Sequence, residues 1–149
     1  MKRFFALFAA LILPAFAALA DDKPQTPTAL AGGTVLSVED AKKLLDAKGA
    51  TFFDTRNPVN YGRGHIRGAV SISYKEKSAF KADFDPAQDH LDLAKLPGDK
   101  NAKIVIYSDG TTGWKSYKAA VLAIKDGRKN VMWMRAGTDG WTAKGFPME

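Results

Sequence analysis

The feature that most constrains the fold of this chain is a change of pattern within residues 104–120. Residues 104–107 form an apolar, mostly β-branched run, a polar loop with two glycines follows, and from Trp114 onward apolar residues recur at helical spacing. The pattern predicts a buried strand, a tight loop and a helix. Backbone N–H groups in such a loop, together with the positive end of the helix dipole, form a cradle for an anion.

Helices and short strands alternate along the rest of the chain. Ser37, with Asp40 three residues on, starts a helix that stops at Gly49, and Pro58 opens a short helix. Short apolar runs predict strands at residues 51–53, 70–72 and 130–134, and a short last helix follows the turn at 135–141. Residues 75–100 are polar and predict loops with one short helix. The alternation predicts an α/β domain with a mostly parallel central sheet and helices on both faces.

The N-terminal region has the form of a targeting segment. Lys2 and Arg3 precede an almost wholly apolar run, which ends in the small-x-small pattern Ala18-Leu19-Ala20. The run is interrupted by Pro14 and is shorter than the roughly 20 residues that a membrane span needs. We expect a signal peptide over residues 1–20, a flexible lead-in over 21–33 and one domain over 34–149. The mature protein is then periplasmic or secreted, with no stable membrane insertion after signal cleavage.

Charge and composition exclude several function classes. The chain of 149 residues carries a formal net charge of +6, which falls to +4 without Lys2 and Arg3, and its lysines are scattered rather than clustered. This argues against nucleic-acid binding and is compatible with small anions. The chain has no cysteine, which rules out thiolate nucleophiles and thiolate metal sites. His65 and His90 have no carboxylate at ligand spacing, so we predict no metal site and no cofactor.

Four segments, in order, match a known family. They are Phe53-Asp54-Thr55-Arg56, Tyr61-Gly62-Arg63-Gly64-His65-Ile66-Arg67-Gly68-Ala69, Lys115-Ser116-Tyr117-Lys118-Ala119-Ala120 and Met134-Arg135-Ala136-Gly137-Thr138-Asp139-Gly140-Trp141. On these segments the chain resembles the rhodanese-like domain over about residues 34–149, with Ala136 in place of the usual first glycine of the last segment. The resemblance implies the rhodanese-like α/β fold.

The resemblance also implies sulfur transfer, in which a loop cysteine takes a sulfane sulfur from thiosulfate as a persulfide. Here Ser108 stands at that position, and a hydroxyl cannot carry a transferable sulfur. Six residues separate Ser108 from Lys115, more than in single-domain sulfurtransferases, and relatives with longer loops hold phosphate or arsenate. The loop also looks like that of an exported subgroup with cysteines at the positions of Ser108 and Gly113, both of which are missing here.

The loop is the candidate ligand site. Its residues are Ser108, Asp109, Gly110, Thr111, Thr112, Gly113, Trp114 and Lys115. Lys115 at the mouth of the cradle offers a point charge to an oxyanion, whereas Asp109 opposes an anion. A nucleophilic Ser108 needs a base, and its neighbour Asp109 is a poor one, so we assign no catalytic residue. Trp114 is explained by packing or, at the loop edge, by exposure as a contact surface.

Several residues outside the loop are expected to support it. The resemblance implies that Asp54 and Arg56 tie the loop to the sheet, and His65 is expected to be structural. Three arginines lie in turns that the resemblance places near the loop, where they either ring its mouth or remain solvated: Arg63, Arg67 and Arg135.

The sequence therefore predicts an exported rhodanese-like domain that lacks the sulfurtransferase cysteine. We expect a non-catalytic binding or accessory module whose partner is a small oxyanion or a periplasmic protein. The alternative is an enzyme of the sulfurtransferase or phosphatase-like group, which uses the extended loop on thiosulfate or another oxyanion.

Overall fold

A computed structural model of the chain describes residues 22–149 and shows one parallel five-stranded sheet. The strands are β1 (Thr34–Val35), β2 (Thr51–Asp54), β3 (Val70–Ser71), β4 (Ile104–Tyr107) and β5 (Val131–Met134). Their order in the sheet is β1-β5-β4-β2-β3, and every neighbouring pair is parallel. The sequence did not predict β1, whose two residues lie directly between the predicted lead-in and the start of α1. The expected signal peptide lies outside the described residues.

Within residues 22–149, three α-helices lie between strands and a fourth follows β5. They are α1 (Val38–Asp46), α2 (Pro58–Arg63), α3 (Trp114–Lys125) and α4 (Gly137–Ala143). Ser37 caps α1 as predicted, with its Oγ accepting a hydrogen bond from the Asp40 N–H at 3.1 Å. The polar region 75–100 contains two 3-10 helices, Pro86–Gln88 and Leu93–Lys95, rather than one short helix. Within residues 22–149 no helix is long and apolar enough to cross a membrane.

The sheet separates two apolar layers, because successive residues of a strand face opposite sides. Phe53 and Ile106 pack under α3 in one layer, together with Trp133. Phe52 and Val105 face the opposite layer, where α1 and α4 cover them. Helices therefore lie on both faces of the sheet, as the sequence predicted.

Parallel strands bring their following loops to one edge of the sheet, the usual place for a ligand in an open α/β fold. The loop 108–113 follows the central strand β4 and meets the start of α4. The N–H groups of Thr138 and Asp139 donate to the carbonyls of Ser108 (3.0 Å) and Asp109 (2.8 Å). Gly137 has a φ of +57°, and a Cβ there would lie 2.4 Å from the Ser108 carbonyl oxygen. Only glycine permits this close approach.

The backbone conformation of Ala136, the residue before Gly137, explains one departure from the family pattern. Ala136 has φ −66° and ψ −18°, which is ordinary right-handed helical backbone. An L-residue with a Cβ adopts this conformation without strain. Alanine therefore fits where the family usually has glycine.

The segment before β1, which belongs to the predicted lead-in over residues 21–33, makes specific contacts with the domain. Thr26 is buried, and both its N–H (2.9 Å) and its hydroxyl (2.8 Å) donate to the carbonyl of Thr111 in the loop. Arg135 holds the same segment by donating to the Thr26 hydroxyl and to the carbonyls of Thr26 and Pro27. Leu30 joins the apolar layer under α3. Residues 26–30 of this segment thus contact the loop, Arg135 and the apolar layer under α3.

A buried ion pair fixes the turn after β2. Arg56 approaches the Asp54 carboxylate with both Nε and Nη2, the latter at 2.7 Å, and Nη2 also donates to the Gly64 carbonyl at 2.6 Å. Burial alone lowers the pKa of the Arg56 guanidinium, but its hydrogen bonds and charge pairing with Asp54 outweigh this and raise it. The pair joins β2 to the turn before β3.

Removing one charge of this pair tests its structural role. The Asp54 side chain is fully buried, so Asp54→Asn leaves the guanidinium without its partner and should cost about 3–5 kcal/mol in the free energy of unfolding. Urea denaturation measures this cost. Asp46→Asn is the control: Asp46 is 61 % exposed and paired with Lys42, so the change should cost less than about 0.5 kcal/mol. Equal costs for the two variants would contradict a structural role for the pair.

Candidate functional site

A cavity of about 220 Å³ lies beside the loop that follows β4. Six of the eight predicted loop residues line it: Ser108, Asp109, Thr112, Gly113, Trp114 and Lys115. The remaining walls come from Lys23, from Asn57 and Asn60 of the α2 region, and from Glu76. The start of the described chain, the turn after β2, the segment after β3 and the loop itself thus meet around one small space.

The other two predicted loop residues do not line this cavity. The carbonyl of Gly110 accepts the Gly113 N–H at 2.8 Å, and the carbonyl of Thr111 accepts both hydrogen bonds from Thr26. The Gly110 carbonyl thus closes a turn within the loop, and the Thr111 carbonyl attaches the N-terminal segment to it. A Cβ at Gly110 would lie 2.5 Å from Asp139 Oδ2, so a larger residue there would displace the Asp139 side chain.

The loop contains unused backbone donors. Among the described residues, the consecutive N–H groups from Asp109 to Thr112 donate to no other group of the chain. Since α3 begins at Trp114, the positive end of its dipole lies at the same place. Unpaired N–H groups and a helix N-terminus together are the donors that bind anions in proteins.

Four charged side chains line the cavity, two of each sign. Lys23 and Lys115 are positive, and Lys115 is half-buried in the first turn of α3. Glu76 and Asp109 are negative. The cavity therefore presents both a charge that attracts an oxyanion and carboxylate oxygens that accept a hydrogen bond but repel an unprotonated oxygen.

Ser108 occupies the nucleophile position without the partner that activation needs. It is 2 % exposed, and its Oγ makes no hydrogen bond to the described residues. His65 is engaged elsewhere: its ring stacks on Tyr61 at 3.8 Å, Nδ1 lies 3.0 Å from the Tyr61 carbonyl and Nε2 lies 3.4 Å from Glu149. Within residues 22–149, Ser108 has no hydrogen-bonded base of the kind that activates a serine hydroxyl.

The alternative of an exposed Trp114 is wrong. This side chain is 4 % exposed, its Nε1 donates to the Pro24 carbonyl at 2.7 Å, and its ring packs edge-on against Tyr117 at 5.7 Å. The N-terminal segment covers it. Trp114 therefore forms a buried wall of the cavity and offers no exposed surface to a partner.

The three candidate arginines do not line the loop cavity. Arg135 binds the N-terminal segment, as described above. Arg63 lines a neighbouring concavity of about 410 Å³ with Asp109 and Asp139. There, burial and the Asp109 carboxylate raise the pKa of the Asp139 carboxyl, while Arg56 opposes the rise. Arg67 lines a separate cavity of about 580 Å³.

Sequence reasoning missed Glu76 and the lysine that holds it. The side chain of Lys118, on α3, is fully buried, and its Nζ lies 2.8 Å from Glu76 Oε2 and donates to the Ser78 hydroxyl at 2.8 Å. That hydroxyl donates in turn to Asp89, whose carboxylate also accepts the Tyr74 hydroxyl. Burial raises the pKa of the Asp89 carboxyl, but these hydrogen bonds outweigh it and lower the pKa. A buried polar network thus fixes one wall of the cavity.

The two ends of the loop come close enough for a disulfide. A Cβ built on Gly113 would lie 3.0 Å from the Ser108 Cβ, about half an ångström short of the range found in disulfides. Oxidised Ser108→Cys/Gly113→Cys should lose both free thiols and should be about 2 kcal/mol more stable than its reduced form. Thiol titration and urea denaturation measure this.

Ser108→Cys alone is the matched control, because the chain has no other cysteine and an intramolecular disulfide is impossible. Free thiols that persist in the double variant under oxidant would show that the loop ends lie further apart than the structure places them.

Known proteins are similar to this chain in sequence and in fold. Over 117 residues the chain is 31 % identical to a candidate thiosulfate sulfurtransferase of Synechococcus elongatus, covering 72 % of this chain but 36 % of that protein. The chain thus spans about a third of that relative's length. A thiosulfate sulfurtransferase from Pseudomonas aeruginosa is 26 % identical with a TM-score of 0.57, over 80 % of this chain and 20 % of that one.

Two further solved structures show the fold alone. The Alr3790 protein from Anabaena is 21 % identical with a TM-score of 0.59, over 76 % of this chain and 81 % of that one. The homodimeric polysulfide-sulfur transferase from Wolinella succinogenes is 23 % identical with a TM-score of 0.57, over 80 % of both chains. The model of the rhodanese-like domain matches residues 37–144. With its parallel sheet and the loop after β4, the chain belongs to the rhodanese-like domain family.

Proposed function

We propose that this protein binds a small oxyanion in the cavity beside the loop 108–113 and does not transfer sulfur. The observation that carries the proposal is the set of consecutive N–H groups from Asp109 to Thr112 that have no acceptor among the described residues, next to a cavity that Lys115 also lines. Such donors are pre-organised, so a bound anion gains their hydrogen bonds without ordering new groups. A cavity of about 220 Å³ admits one tetrahedral oxyanion.

The absence of sulfur transfer follows from the chemistry of the loop. Transfer through a persulfide needs a thiolate, and the chain contains no cysteine at any position. Ser108 lacks a hydrogen-bonded base among residues 22–149, which also argues against a hydrolytic enzyme at this position. We therefore propose a binding or accessory module, exported to the periplasm by the predicted signal segment. A protein partner remains the second candidate, although the burial of Trp114 removes the surface that favoured it.

Oxyanion binding is tested by melting the protein at low salt with phosphate, arsenate, sulfate, thiosulfate and sulfite. An anion at a hundredfold excess over its Kd stabilises the folded state by about 2.7 kcal/mol, a shift of several degrees for a domain of this size. Lys115→Ala should weaken the binding of the best anion about tenfold, because a charge-assisted hydrogen bond is lost.

Lys125→Ala is the matched control, since Lys125 is exposed at the other end of the same helix and should leave the affinity unchanged. The proposal is overturned if no anion raises the melting temperature. It is overturned as well if Lys125→Ala weakens binding as much as Lys115→Ala, because the anion would then respond only to overall charge.

The missing thiol is tested by restoring it. Ser108→Cys places a thiol at the start of a loop that still has its N–H donors, so thiosulfate should add one sulfur to this variant and none to the parent protein. Intact-mass spectrometry before and after reduction measures the adduct. An adduct on the parent protein would contradict the proposed loss of sulfur transfer, and no adduct on the variant would show that the loop has also lost the geometry for it.

A further inference from the structure

The cavity of about 580 Å³ that Arg67 lines is formed by the end of α1, the start of β2, the turn before β3 and the C-terminal segment. We infer that it is a second binding site, which takes a small organic anion with an apolar body, such as a medium-chain carboxylate. The inference is independent of the proposed oxyanion site, because none of the residues that line this cavity also lines the one beside the loop 108–113.

The two cavities lie at opposite edges of the sheet. Thr51, the first residue of β2, lines the larger cavity. Asp54, the last residue of the same strand, is paired in register with Tyr107, directly before the loop. The three residue steps between Thr51 and Asp54 span about 10 Å of extended strand. A ligand in the larger cavity is therefore held by a different set of elements from those around the loop.

The floor of the cavity is apolar. Leu45, Ala50 and Phe52 line it, and all three belong to the apolar layer that α1 and α4 cover. Pro147 adds a further apolar wall from the C-terminal segment. Sites for small organic ligands in proteins commonly measure about 300–1,000 Å³ and combine such walls with a few charged groups. The volume and the lining thus suit a ligand with an apolar body rather than a bare inorganic ion.

The charges around this floor leave a positive excess. Lys42 and Asp46 line the cavity and neutralise each other, since Lys42 Nζ lies 2.7 Å from Asp46 Oδ2. Lys48 and Arg67 line it as well, and neither side chain makes an ion pair or a hydrogen bond within residues 22–149. Two cations without a partner in the described chain therefore face an apolar floor, which is the arrangement that an amphipathic anion complements.

Lys48 is held in a strained backbone conformation. Its φ is +51°, and among residues 22–149 it is the only residue other than glycine with a positive φ. Its N–H donates to the Leu45 carbonyl at 3.1 Å, and the Gly49 N–H donates to the Leu44 carbonyl at 2.8 Å, which closes the end of α1. Glycine usually occupies such a position, because a Cβ is strained there. Strain of this kind is concentrated at functional sites, which supports a ligand-binding role for this lysine.

Arg67 stands in a turn that its neighbours fix. The Ala69 N–H donates to the Ile66 carbonyl at 2.9 Å, and the Gly68 N–H donates to Glu149 Oε1 at 2.7 Å. The Glu149 carboxylate is thus bound by backbone and does not line the cavity. Arg67 is exposed, and its planar guanidinium presents paired N–H donors that match the two oxygens of a carboxylate.

Further positive charge lies along the same edge of the sheet. The Thr51 N–H donates to the Lys103 carbonyl at 3.1 Å, so Lys103 directly neighbours the start of β2. Lys103 and Lys129 line an adjoining concavity of about 230 Å³. Lysines clustered in this way raise the local concentration of anions and favour their approach.

Isothermal titration of the mature protein with sodium octanoate, sodium hexanoate, sodium acetate and 1-octanol, at neutral pH and low salt, tests the inference. Octanoate should bind about tenfold more tightly than hexanoate, because hexanoate buries two fewer CH₂ groups. Acetate has the charge without the apolar body and should bind more weakly still. 1-Octanol has the same chain without the charge and should bind at least about tenfold more weakly than octanoate.

Two variants locate the carboxylate. Arg67→Gln and Lys48→Gly should each weaken octanoate binding about tenfold, since each removes one charged partner of the ligand. Lys48→Gly also relieves the backbone strain, so its melting temperature should not fall, and this separates a lost ligand contact from a damaged fold. Lys125→Ala is the matched control, because Lys125 is exposed and does not line the cavity, so octanoate affinity should not change.

The inference is overturned if octanoate binds no more tightly than acetate, or if 1-octanol matches it. Equal losses in Lys125→Ala and Arg67→Gln would show a response to overall charge and would overturn it as well. If Lys115→Ala weakens octanoate binding and Arg67→Gln does not, the carboxylate lies beside the loop, so the inference is wrong and the proposed function stands. Octanoate binding that depends on Arg67, in a protein that binds no inorganic oxyanion, would uphold the inference while the proposed function fails.

Discussion

The structure depends on the attachment of the loop 108–113 to the start of α4. The Ser108 and Asp109 carbonyls accept hydrogen bonds from the first turn of that helix, and the left-handed Gly137 brings the two backbones into contact. The α4 N–H groups bind two loop carbonyls, whereas the loop N–H groups from Asp109 to Thr112 have no acceptor among the described residues. The set of unpaired N–H groups in this described part of the chain is thus a consequence of how α4 is docked.

The local elements were predictable because their signals are local. The short apolar runs at residues 51–53 and 104–107 identified buried strands, and the spacing after Trp114 identified α3. The parallel sheet and the helices on both faces followed from the alternation of elements. These features depend on residues a few positions apart, which periodicity detects well.

The rest of the site depends on contacts between distant residues. Glu76 meets Lys118 across 42 positions of sequence, in a segment without periodicity, so nothing in the sequence marks either residue. The segment around Thr26 has the composition of a linker, yet its contacts use backbone carbonyls and one hydroxyl, which composition does not reveal. Trp114 was ambiguous for the same reason, because the group that buries it lies 90 residues away.

The N-terminal segment forms one wall of the cavity and is attached to it by polar contacts. Lys23 is a wall of the cavity, and the residues from Pro24 to Pro27 are held by hydrogen bonds to the loop, Trp114 and Arg135 rather than by sheet pairing. Detaching the residues that precede Leu30 breaks these hydrogen bonds and leaves the parallel sheet intact. Such a local opening costs far less than global unfolding. Local opening of this short segment, without unfolding of the sheet, is therefore enough to expose the cavity and Trp114 to solvent.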